Sequence, residues 1–80
     1  MNDTEIVQQI DQLVEQEHEL ERLHAAEGLN EDDRARLQDI EVRLDQCWDL
    51  LRQRRARRNA GQDPGEAQVR PAQVVEHYQQ

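Results

Sequence analysis

Apolar residues recur at Ile6, Ile10, Leu13 and Leu20, and again at Leu37, Ile40, Leu44, Cys47 and Leu51. The first set is spaced 4-3-7 and the second 3-4-3-4, so each falls on one narrow stripe of an α-helix. The first stripe turns polar as it proceeds, because the next equivalent positions are Glu17 and His24. The second turns cationic at Arg54 and Arg58. No proline or glycine interrupts residues 2–27, and Gly28 stands where a helix-ending glycine belongs. Asp3 or Thr4 can cap the first helix, expected over about residues 4–27, roughly 24 residues or 36 Å. Asn30 can cap the second, with Glu31, Asp32 and Asp33 in its first turn, where the helix dipole favours acids. That helix is expected over about residues 31–60, with Gly61 as its stop.

Two long helices joined by a short turn form an antiparallel hairpin. Residues then face one another when their numbers add to about 57: Ile6 with Leu51, Ile10 with Cys47, Leu13 with Leu44, Leu20 with Leu37. Both stripes match in this register. Glu17 falls opposite Ile40 and is expected to reach Arg43. The fold class is therefore all-α: a coiled-coil-like two-helix hairpin over residues 1–61 and a tail over 62–80. In the tail, Pro64 and Gly65 break the helix and Pro71 can open a short one over about residues 71–79.

Val7, Val14, Trp48 and Leu50 lie off the stripes, near the open end of the hairpin. Two helices cannot cover them, and an uncovered apolar patch marks a contact. The tail adds Val74, Val75 and Tyr78 on one face, too short a segment to fold alone. Two occupants suit the patch: the tail folding back, or a second hairpin, giving a homodimeric four-helix bundle. An 80-residue chain with one cysteine and no internal disulfide gains most from such a remedy. The single thiol, the absence of a long apolar run and an acidic N-terminus point to the cytoplasm and away from membranes.

Charge is unevenly placed. The net of −8 includes −7 over residues 1–28 and +5 over residues 52–58. Arg52, Arg54, Arg55, Arg57 and Arg58 are the loudest local signal. They suit phosphate contact, hence an alternative reading as a small nucleic-acid-associated or regulatory protein. They suit better the C-terminal end of a helix dipole and pairing with Asp3, Glu5, Glu66 or Glu76, since no aromatic residue interleaves with them; an acidic protein partner is a third reading. Arg54 and Arg58, which continue the stripe, are the pair expected to hold the tail. Glu15 with His18 and Glu21 with His24 have the spacing of bundle metal sites, but the facing stripe offers Leu37 and Ile40 where carboxylates would be needed. A metal-binding bundle is thus a remote reading. Serine is absent, Thr4 is the only threonine, and Cys47 sits in an apolar seam with no base beside it. Neither an enzyme nor a cofactor is expected. The leading reading is a protein-interaction or assembly module.

The segment LDQCWDLLRQRRARR, followed by DPGEAQVRP and VVEHY, resembles a family of short actinobacterial proteins known as a domain of unknown function. The resemblance spans nearly the whole chain. It implies a two-helix body with a tail and an intracellular actinobacterial origin, and it supplies no activity, substrate or catalytic residue.

Overall fold

The computed structural model describes residues 1–25 and 28–75. Two long helices, α1 (Asp3–Leu23) and α2 (Glu31–Asn59), lie against each other, followed by a 3-10 turn at Pro64–Glu66 and a short α3 (Ala72–Val75). The body is a slim rod of 51 × 24 × 17 Å.

Helix α1 is capped one residue before Asp3 and two before Thr4, the caps expected from the sequence. Asn2 is the cap: its side chain accepts from the Glu5 backbone at 2.8 Å, while its own backbone N–H donates to the Glu5 carboxylate at 3.0 Å. This reciprocal capping box satisfies two backbone donors. It also leaves the Asp3 carboxylate free for α2. The helix ends at Leu23, short of residue 27, with His24 in a non-helical conformation (φ −109°, ψ 11°). Leu20 is the last buried residue of the stripe, and His24 turns across the hairpin to Asp33, so nothing apolar holds a further turn in place. Gly28 then adopts φ +76°, and its N–H donates to the His24 carbonyl at 2.8 Å.

Helix α2 begins as expected, with the Asn30 side chain accepting from the Asp33 backbone at 2.8 Å. It ends in a Schellman motif: Gln62 N–H donates to Arg57 O at 2.7 Å, Gly61 N–H to Arg58 O at 3.1 Å, and Gly61 takes φ +73°.

Ile6, Ile10, Leu13 and Leu20 of α1 and Ile40, Leu44 and Cys47 of α2 are buried in one seam, with Leu37 and Leu51 packed beside them. Two cross-helix polar pairs set the register. Asp3 bonds Arg54 at 2.5 Å at the open end, and His24 meets Asp33 at 2.9 Å at the closed end. Each pair adds to 57, the value the stripes demand. The expected Glu17–Arg43 contact is not made. Arg43 pairs along its own helix with Asp39 at 3.0 Å, because Glu17 and Arg43 flank the seam on opposite sides.

The tail folds back on its own hairpin. From the 3-10 turn it runs antiparallel to α2 as an extended strap. Arg57 reaches Glu66 at 3.5 Å, Gln53 donates to the Gln68 carbonyl at 2.7 Å, and Arg70 meets Asp49 at 3.2 Å. Two residues of strap thus match four of helix. The periods agree: two extended residues rise about 6.2–6.6 Å and four helical residues about 6.0 Å. Gln46 adds a bond to the Arg70 carbonyl at 3.2 Å. Leu50 and Val75 are buried in this arrangement, at 6% and 0% exposure, and Ala67 packs on the core.

Asp49 is fully buried, with one carboxylate oxygen accepting from Gln53 at 2.9 Å and ion-paired with Arg70 at 3.2 Å. Removing the partner of a buried charge costs more than removing the charge. Arg70→Ala is therefore expected to destabilise the protein by about 3 kcal/mol and Asp49→Asn by about 1 kcal/mol. Urea unfolding of both variants checks the order; equal or reversed losses would contradict it.

Candidate interaction face

Among the described residues, the strap covers one flank of the hairpin and leaves the other open. On the open flank α2 presents Glu41, Asp45, Trp48, Arg52 and Arg55, a 4-3-4-3 stripe about a fifth of a turn round from the seam. Helix α1 contributes Val7 and Val14. Trp48 is 37% exposed and Val7 45%, while Val14 is half-buried against the core.

Trp48 stands between two grooves. One, of about 420 Å³, is lined by Val14, Glu17, Glu41, Leu44, Asp45 and the indole. The other, of about 340 Å³, is lined by the same indole with Asp3, Leu51, Arg52, Arg55 and Arg58. The face is therefore acidic toward the hairpin turn and basic toward the open end, with the only tryptophan at the boundary. Asp45 and Arg52 are half-buried and engaged within the chain. Glu41 and Arg55 are exposed.

The patch expected from the sequence divides. Leu50 and Val75 lie on the strap side and are buried. Val7, Val14 and Trp48 remain on the open side. Val74 is 44% exposed, and Tyr78 lies outside the described residues. Leu50, off the seam by its spacing, is more completely buried than the seam residue Leu51, because the strap covers the first and the open groove borders the second.

The arginine cluster is taken apart by helix geometry, since successive residues point about 100° apart. Arg54, whose side chain is 12% exposed, donates to Asp3 and, at 3.1 Å, to the Pro64 carbonyl, and so joins α1, α2 and the strap. Arg58 pairs with Asp3 at 3.0 Å and Arg57 with Glu66. Arg54 thus holds the tail as expected, but its companion there is Arg57; Arg58 is drawn to α1. Glu76, the other expected partner, lies outside the described residues. Arg52 and Arg55 turn to the Trp48 side.

Other chemistry-bearing residues have local roles. Arg22 bonds Glu19 one turn back, and the His24 ring lies against the Asp33 carboxylate across the hairpin. Among the described residues no three His, Cys, Asp or Glu side chains converge as metal ligands. Burial pushes the Cys47 thiol above its ordinary range. Asp49, the residue that fastens the strap, was not distinguished by the seam pattern. The signal was the polar stripe Gln46, Asp49, Gln53, Arg57, which runs parallel to the apolar one. No helix among the described residues is long and apolar enough to cross a membrane.

The protein of unknown function family DUF2630 matches residues 2–80, and the chain belongs to it. Relatives include the uncharacterized protein Rv0898c of Mycobacterium tuberculosis (strain ATCC 25618 / H37Rv) and the uncharacterized protein Mb0922c of Mycobacterium bovis (strain ATCC BAA-935 / AF2122/97). Each is 49% identical over 77 residues, covering 95% of this chain and 88% of the relative. No solved structure matches.

The Arg54 hydrogen bond to Asp3, with the Arg58 charge nearby, holds the Asp3 carboxyl below its ordinary value of 3.8. A carboxyl depressed on folding adds stability above its unfolded value and loses it as pH falls through the folded one. Wild-type stability is therefore expected to fall more steeply than that of Asp3→Asn as pH drops below about 4. Thermal melts of both proteins from pH 6 to about pH 2 check this; parallel curves would contradict it.

Proposed function

We propose that this member of the DUF2630 family is a non-enzymatic assembly module of the cytoplasm, which pairs through its Trp48 face with a second copy of itself. The observation that carries the reading is the one-sided strap. The tail covers Leu50 and leaves Val7, Val14 and Trp48 open on a body only 17 Å through its shortest extent. A second hairpin laid on that face completes a four-helix bundle. Tryptophan is among the residue types enriched at the energetic centres of such contacts.

The face carries both signs of charge, so a second copy supplies both complements. A nucleic acid supplies only one, and the acidic half would repel it. Arg54, Arg57 and Arg58 are already committed to Asp3, Glu66 and a strap carbonyl, Arg52 is also engaged within the chain, and the net charge is −8. These features weigh against the nucleic-acid reading.

Sedimentation velocity from micromolar to millimolar protein is expected to show a monomer–dimer equilibrium. Trp48→Ala should weaken it at least about thirtyfold without loss of helicity by circular dichroism. A monomer throughout that range would end the reading. A salt-sensitive shift of duplex DNA or RNA at low ionic strength would favour the rival.

A further inference from the structure

The open stripe of α2 is antisymmetric in charge about Trp48. Glu41 lies seven residues before it and Arg55 seven after, so each is about 10.5 Å from the indole along the helix. Asp45 and Arg52 repeat the pattern closer in, at three before and four after. Reading along the helix, the stripe is acid, acid, tryptophan, base, base. From this we infer that the interaction surface is self-complementary in one orientation only: two copies pair antiparallel through α2, with a two-fold axis at Trp48.

In that orientation facing residues have numbers that add to 96. Trp48 meets its own copy, where two indoles can stack offset. Glu41 of each chain meets Arg55 of the other, giving two symmetric ion pairs at the rim. Both side chains are exposed on the flank the strap leaves open. A parallel arrangement would instead set Glu41 against Glu41 and Arg55 against Arg55, and like charges in register repel. Asp45 and Arg52 are engaged within their own chain, so the pairing rests on Glu41, Trp48 and Arg55. Helix α1 fits the same polarity: Glu17 and Val14 flank the acidic groove, while the basic groove is bordered by an Asp3 already neutralised by Arg54 and Arg58. A two-fold interface of this kind closes on itself and stops at the dimer.

This inference rests on the proposed self-assembly and adds its geometry. The test is a charge swap in the full chain, followed by sedimentation at low salt. Glu41→Arg alone and Arg55→Glu alone should each weaken dimerisation about tenfold, since two surface pairs are reversed per dimer. The double variant E41R/R55E should restore it, because the complementarity is preserved with its sign inverted. Circular dichroism of each variant establishes that the hairpin is intact. In a second measurement, an oxidised mixture of E41C and R55C chains should yield the mixed disulfide in preference to either symmetric one. If the wild type dimerises but the single reversals leave the affinity unchanged, or E41C crosslinks to itself, the antiparallel geometry is overturned and self-assembly stands. If the wild type does not dimerise, both fall together.

Discussion

A pair of helices has a single line of contact, and that constraint shapes the rest of this molecule. Each helix can turn one stripe of side chains onto its partner. Whatever apolar surface lies to either side of the line must be covered by something else or left open. Here the seam takes Ile6, Ile10, Leu13, Leu20, Ile40, Leu44 and Cys47. Leu50 falls to one side and Trp48 to the other, because residues two apart on a helix point some 200° apart. The two flanks have met different fates. One is closed by the chain's own tail, and the other faces outward with an indole at its centre.

The closing of the first flank is a problem of hydrogen-bond supply. An extended strap has backbone carbonyls but no neighbouring strand to use them, and unpaired backbone groups against a protein surface are costly. Gln46 and Gln53 answer this by donating their side-chain amides to the Arg70 and Gln68 carbonyls, and Arg54 does the same for Pro64. The near-equality of two extended residues and four helical ones keeps the contacts in step over the strap's whole length. It also explains why the fastening residues Asp49, Gln53 and Arg57 recur every four positions. Arg54 has a second task. By bonding Asp3 as well, it fixes the first turn of α1 to the same point from which the strap departs, so the three segments meet at one guanidinium. Its planar fork of donors suits a junction of this kind, where the single ammonium of a lysine would not.

The sequence reveals the hairpin clearly because its determinants are periodic and local. The register is readable from the two stripes, and Asn30 and Gly61 announce the ends of α2 by residue type. The departures are equally physical. The cap at Asn2 is legible as Asn-x-x-Glu: Asp3 and Thr4 are competing caps beside it, but only Asn2 has a glutamate three residues on to complete a capping box, and Asp3 is engaged by Arg54 instead. The early end of α1 reflects a tertiary contact, His24 with Asp33, that no local signal encodes. Arg43 was placed by its level along the seam, and level alone does not say on which side of the seam a side chain falls. The tail folding back is one of two arrangements the apolar patch allows, and its extended course along α2 is illegible for a related reason. Its fastening stripe is polar, and a search for hydrophobic periodicity passes over glutamines.

The arginine run shows how far adjacency in sequence differs from adjacency in space. Five arginines within seven positions look like one basic surface. Wound on a helix they point in several directions, and Arg54, Arg57 and Arg58 find acids or carbonyls of the same chain. What reaches the open flank is a smaller contribution, Arg52 and Arg55, set on the far side of Trp48 from Glu41 and Asp45. The run therefore does not make the molecule basic in any one direction. It clasps the open end of the hairpin shut and gives an otherwise acidic face a positive half. A surface with one sign attracts many polymers weakly. A surface with two signs arranged about an aromatic centre discriminates by orientation, because any partner must match both halves at once.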